Sequence, residues 1–150
     1  MQPETQADER EFTITLDLLE NYQFHVAFDS PGIAPLLVDE IPPIGEGAGP
    51  SPSRMLATSV AHCLASSALY CLRKARIDVQ EMHATVRGAM VRNERGRLRM
   101  GSLSVSLEPK VAPADVPRMQ RCLDIFEDFC VITQSVRQGL PVDVSVAPAH

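Results

Sequence analysis

The stretch from Ser51 to Ala75 constrains this chain more than any other. Ser51 suits a helix N-cap, and Pro52 suits the first helical position, where its missing N–H costs nothing. From there to Leu72 the apolar residues occupy most of the helix circumference instead of one stripe, so the helix needs cover on several sides. Arg73, Lys74 and Arg76 place positive charge at its C-terminal end, where the helix dipole favours it. Thr58, Ser59, His62, Ser66 and Ser67 interrupt the apolar run from Met55 to Leu72. The run therefore reads as too short and too polar for a membrane span. A core helix is expected, running to about Ala75.

The elements around it follow from their periods. Phe12, Ile14, Leu16 and Leu18 alternate with Thr13, Thr15 and Asp17, and Tyr22, Phe24, Val26 and Phe28 with Gln23, His25 and Ala27, which predicts two half-buried strands turning at Glu20-Asn21. A short strand around Leu36 to Val38 follows. Residues 41–52, IPPIGEGAGPSP, form a Pro/Gly loop that serves either as a functional loop or as a plain crossover. Residues 78–92 and 97–108 read as long strands joined at Asn93-Glu94-Arg95-Gly96. Leu103, Val105 and Leu107 fall out of phase with Leu98 and Met100, and a bulge at Gly101 would correct that. Asp115 is expected to cap a helix from Val116 to about Asp128, and a short helix follows from near Cys130 to Gly139. Val142, Val144 and Val146 predict a last strand. Separated hairpins and helices indicate an α+β fold.

At 150 residues the chain fits a single domain over 12–150, preceded by a polar, disordered tail at 1–11. The formal charge of −5 disfavours phosphate backbones, so no nucleic-acid partner is expected, and the basic stretch from Arg87 to Arg99 reads as a solvated hairpin. No signal peptide pattern opens the sequence, which implies a cytoplasmic location and no membrane partner. In that compartment four cysteines are reduced, catalytic or simply buried. They show no C-x₂-C spacing, and His25, His62, His83 and His150 are scattered, so neither a metal nor a cofactor is expected. No nucleophile elbow, phosphate loop or dinucleotide fingerprint is present.

Cys71 and Cys122 sit among apolar neighbours and read as small buried hydrophobes. Cys130 starts a helix, where free N–H groups and the dipole favour a thiolate, although it could equally just open a buried helix. Cys63 lies about three turns inside the long helix, beyond reach of that helix's own dipole. Its pKa is expected at or above the ordinary thiol value. Position alone therefore makes Cys130 the more acidic thiol. His62, adjacent to Cys63, points about 100° away from it on a helix.

The segment GPSPSRMLATSVAHCLASSAL, Gly49 to Leu69, resembles the signature of the OsmC/Ohr family: a G-x-x-P turn and a Cys fourteen residues after the glycine, here Gly49, Pro52 and Cys63. FEDFCVITQSVRQGLPVDV, Phe126 to Val144, is similar to the family's second region, with Cys130 at the Cys and Val131 where the family has Pro. The resemblance spans roughly residues 12–146. It implies an OsmC-like fold in which antiparallel sheets wrap long central helices of an intertwined homodimer. It further implies a thiol peroxidase in which Cys63 attacks an organic hydroperoxide and Cys130 resolves the sulfenic acid to a disulfide, with a dithiol as reductant. Met55, Leu56 and Val60 would suit an apolar substrate. The family holds its thiolate with an Arg oriented by a Glu after the turn proline. Here Ser53 and Arg54 follow Pro52, and the only Arg upstream of Arg54 is Arg10. The residues left to support the pair are Arg54, Glu46, Glu40, His62 and Gln134. The alternative is a non-enzymatic dimer of the same fold that binds a small apolar ligand or senses oxidation.

Overall fold

The computed structural model describes residues 11–149, so the expected disordered tail lies, but for Glu11, outside the described residues. The backbone groups into two compact units that divide between Met55 and Leu56.

In the first unit, β1 (Thr15–Glu20), β2 (Gln23–Ala27) and β3 (Leu36–Val38) form an antiparallel sheet in that order. The turn between β1 and β2 puts Asn21 at φ 50°, a left-handed conformation that Asn tolerates better than most residues. The Pro/Gly segment after β3 is ordered around one buried carboxylate. Asp39 Oδ1 accepts the Glu40 N–H at 2.7 Å, and Oδ2 accepts those of Glu46 at 3.1 Å and Ala48 at 3.0 Å. These bonds, led by the one from Ala48, outweigh burial and hold Asp39 below the usual carboxylate range. Gly49 is required here, because an added Cβ would collide with the Leu37 backbone carbonyl.

Helix α1 spans Pro52–Lys74, as its caps predict. The expectation that it is too short and too polar to span a membrane needs correction: by length and composition alone it qualifies. Its packing gives the other reason to read it as a core helix, since Val60, Ala61, Leu64, Ala68 and Leu72 are buried by protein. In the second unit β4 (Glu81–Arg92) and β5 (Leu98–Lys110) form an antiparallel hairpin. The register steps from Ala89↔Ser102 to Met90↔Met100, leaving Gly101 as the extra residue that restores the phase. The hairpin turn is tied by Asn93 Oδ1, which accepts the N–H groups of Arg95 and Arg97, with Gly96 at φ 74°.

Helices α2 (Val116–Ile125) and α3 (Val131–Gln138) complete the unit, separated by a 3-10 turn over Phe126–Phe129. Asp115 stands at the N-cap position of α2 as expected, but its side chain makes no cap hydrogen bond. It belongs to a preceding 3-10 turn, has a helical backbone, and pairs with Arg118 at 3.0 Å. The last predicted strand does not form. Residues 139–149 have no regular structure, and Val142, Val144 and Val146 are 78%, 80% and 92% exposed. Alternation of side chains makes a segment competent for pairing, but a strand needs an edge to pair with.

Two clusters form the core of this unit. One joins Val60, Leu64 and Ala68 of α1 to Phe126 and Cys130, with Leu103, Val105 and Leu107 of β5 against it. The other joins Leu72 and Ile77 to Cys122. The segment α2–α3 thus runs back along α1.

Candidate functional site

Cys63 is half-buried on α1, and Cys130 is fully buried at the N-cap of α3. Both thiols are free, and Cys63 packs against the core cluster that holds Cys130, within hydrogen-bonding reach of it. The two residues most tied to chemistry by the sequence are therefore brought together from positions 63 and 130.

Their surroundings are unequal. Thr133 Oγ1 lies 3.0 Å from Cys130 Sγ. The protonated thiol donates to that hydroxyl, and the hydroxyl can turn and donate once the sulfur is charged. Burial alone would push the Cys130 thiol up. Hydrogen bonds from the Thr133 hydroxyl, the Cys63 thiol, the Thr133 N–H and the Ser67 hydroxyl outweigh it and bring Cys130 below its ordinary value. The Thr133 N–H makes no formed cap bond to the side chain, yet it favours negative charge on the sulfur.

For Cys63 the balance goes the other way. Burial pushes it up, and donation to Cys130 adds to that, whereas the backbone N–H groups of Ile132 and Val131 pull it down. Those two donors are the open N-terminus of α3. Cys63 is remote from the start of its own helix but lies against the start of another. The first three N–H groups of α3 thus act on both sulfurs.

The remaining nominated residues have other duties. Arg54 is exposed in the first turn of α1, and its Nη1 donates to Ser53 Oγ at 3.1 Å. Glu46 accepts from Asn21 Nδ2 at 3.2 Å and Gln23 Nε2 at 3.3 Å, fastening the loop to the first hairpin. Glu40 is half-buried in the same loop, and its carbonyl accepts the Gly47 N–H. His62 is exposed, on a different face from its half-buried neighbour Cys63. Gln134 ties α3 to the preceding turn through Glu127 O at 3.1 Å.

Thr133 and Ser67 were missed from the sequence. Two local signals point to them. Cys130-x-x-Thr133 has the N-cap to N3 spacing at which side chains meet. Ser67 stands four residues after Cys63, on the same helical face. Among the described residues no cluster of His, Cys, Asp and Glu could hold a metal ion. A cavity of about 240 Å³ in the first unit is lined mainly by Leu16, Tyr22, Phe24, Val38 and Pro52.

The chain is thus an α+β protein in which a long core helix and the start of a later helix bring two free thiols together. The family model for OsmC-like protein matches residues 45–145, and the chain belongs to that family. The fold agrees. An OsmC-like protein of unknown function from Vibrio cholerae superposes with a TM-score of 0.72 at 14% identity, covering 83% of this chain and 92% of that one. An OsmC-like protein from Mycoplasma pneumoniae gives 0.71 at 17% identity, covering 86% and 89%. The organic hydroperoxide resistance protein OhrB of Bacillus subtilis gives 0.57 at 18% identity, covering 85% and 90%. Among curated protein sequences none matches significantly.

Proposed function

We propose that this chain is a cytoplasmic, thiol-dependent peroxidase for organic hydroperoxides, with Cys63 and Cys130 as its redox pair and a small dithiol or a reductase as electron donor. The facing free thiols at the start of α3 carry the reading.

The two thiols lose their protons in steps whose apparent acidities belong to the pair. The first charge rests on Cys130, within hydrogen-bond reach of the Thr133 and Ser67 hydroxyls. Cys63 is the more exposed thiol and meets the substrate. As its sulfur attacks the O–O bond, its proton passes to Cys130, and the leaving alkoxide takes a proton from water to depart as the alcohol. The product on Cys63 is a sulfenic acid. Cys130 then attacks that sulfur, water leaves, and a disulfide remains for the dithiol to reopen. Leu56 lies two turns before Cys63, while Val131 and Ile132 flank the pair; all three are exposed apolar residues that favour an alkyl hydroperoxide over hydrogen peroxide.

The test is consumption of cumene hydroperoxide and hydrogen peroxide with a dithiol, in the wild type, Cys63→Ser and Cys130→Ser. Turnover should favour the organic peroxide and vanish in Cys63→Ser. No turnover above the free-dithiol background would reject the enzyme. The net upward push on Cys63 favours one second reading, a non-enzymatic redox sensor or ligand-binding dimer. It expects a slow single oxidation of the same pair without turnover.

The working form in this reading is a homodimer. Leu16 and Leu18 of β1 are more than half exposed, as are the three alternating valines at 142, 144 and 146. A second copy of the chain would cover such apolar surface, and the valines would gain a strand edge. Sedimentation velocity should give twice the chain mass. A monomer at micromolar concentration would contradict this.

A further inference from the structure

The second helical segment meets α1 at three successive places, each stepped the same number of residues in opposite directions along the two. Arg118 donates to the Ala75 carbonyl at the end of α1, Cys122 faces Cys71, and Cys130 faces Cys63. The middle contact is a second pair of free thiols, and the proposed peroxidase chemistry does not use it. Its members differ in exposure: Cys71 is half-buried, whereas Cys122 is only 5% exposed among Leu72, Ile77 and Met119.

We propose that Cys71 and Cys122 form a second oxidisable dithiol, which a hydroperoxide converts to a disulfide that staples α2 to the C-terminal half of α1. Cys71 packs against the small cluster that holds Cys122, which places the two thiols side by side before any oxidant arrives. Burial pushes Cys122 up to about 11, so it keeps its proton and is a poor first nucleophile. Cys71 is the thiol that a reagent meets. Its sulfur attacks the terminal oxygen of ROOH, the O–O bond breaks, ROH leaves, and Cys71 becomes a sulfenic acid. Cys122 then attacks that sulfur, gives up its proton, and displaces water. Two thiols and one hydroperoxide become one disulfide, one alcohol and one water.

Direct exchange with the first pair is excluded by length. Eight residues of α1 separate Cys63 from Cys71, about 12 Å of helical rise, whereas thiol exchange needs sulfurs in contact. The second pair therefore responds to oxidant on its own account. Its disulfide closes a loop that contains β4, β5 and the first part of α2, so it fixes the segment that leads into Cys130.

The double variant Cys63→Ser/Cys130→Ser separates this proposal from the peroxidase reading, because it keeps only the second pair. Excess cumene hydroperoxide, followed by alkylation and digestion, should yield an intramolecular peptide linkage between Cys71 and Cys122, with loss of two hydrogen atoms in mass. Cys71→Ala in the same background should abolish it. The oxidised protein should unfold at a higher temperature than the same sample after reduction. Full recovery of alkylated Cys71 and Cys122, after both the peroxide and the thiol oxidant diamide, would overturn the proposal. So would oxidation of Cys71 to a sulfinic acid with Cys122 untouched. Should the double variant not fold, the wild type decides: oxidation is expected to give the Cys71–Cys122 linkage there too, and a Cys63–Cys130 linkage alone would refute it.

Discussion

Thr133→Val is expected to slow oxidation of the thiol pair by an organic hydroperoxide at neutral pH by at least about tenfold. Valine keeps the shape of threonine and the β-branch, but it cannot donate to Cys130 Sγ, which lies 3.0 Å from the hydroxyl in the wild type. A hydrogen bond to a charged group contributes about 1.5–3 kcal/mol, and roughly 1.4 kcal/mol is a factor of ten in rate or equilibrium. The Thr133 hydroxyl leads the groups that lower Cys130 against its burial. Without it the first ionisation of the pair moves up in pH, so the rate profile of oxidation should shift in the alkaline direction. The sign is fixed by the charge: a donor facing a thiolate stabilises the deprotonated form, and its loss favours the proton. Thr133→Ser restores a donor and should restore most of the rate. A merely structural role for Thr133 would lower stability in the valine variant while leaving the pH profile in place. Stopped-flow oxidation from pH 5 to 9, with melting temperatures on the same samples, separates the two outcomes.

Local signals carried the elements. Ser51 and Pro52 start α1 where caps should, Gly101 sits at the bulge that the phase of Leu98 and Leu103 demanded, and Gly139 ends α3 at φ 73°. Each of these is decided within a few residues, so a period or a cap suffices to read it. The failures are non-local. Asp39 carries no local signal of its role, because its three N–H partners at Glu40, Glu46 and Ala48 converge only after the Pro/Gly loop closes. Asp115 holds the cap position, but its carboxylate pairs with Arg118 and makes no bond to the helix N–H groups. The alternating valines at 142, 144 and 146 have the period of a strand without an edge to pair in the protomer.

The candidate site divides in the same way. Cys63 and Cys130 could be singled out by helix position and family spacing. The sequence order of the acidities, Cys130 below Cys63, also follows from helix position and agrees with the structure. The N–H groups of Val131 and Ile132 at Cys63 could not be read, because that contact depends on α3 starting against the middle of a helix some seventy residues earlier. Cys71 and Cys122 each satisfied the pattern of a buried hydrophobe. Only the antiparallel course of α2 along α1 makes them a pair.

Phe126→Ala is expected to cost about 3–5 kcal/mol, the usual loss for removing a buried aromatic ring. Phe126 is 8% exposed and fills the cluster made by Val60, Leu64, Ala68 and Cys130. A domain of this kind is held by only about 5–15 kcal/mol, so the variant should lose a large part of its stability. The effect on the site follows from position. Phe126 opens the 3-10 turn that ends at Phe129, directly before Cys130, and its ring anchors that turn to α1. With the ring gone, Cys130 loses a packing neighbour, and native-state alkylation of Cys130 should accelerate from the low rate set by its full burial. Phe129→Ala is the control, since Phe129 is 73% exposed in the protomer and an exposed position usually changes stability by no more than about 0.5 kcal/mol. A comparable loss at both positions would mean that a second chain covers Phe129. A urea midpoint unchanged in Phe126→Ala, with an unchanged slope, would remove Phe126 as the anchor of Cys130.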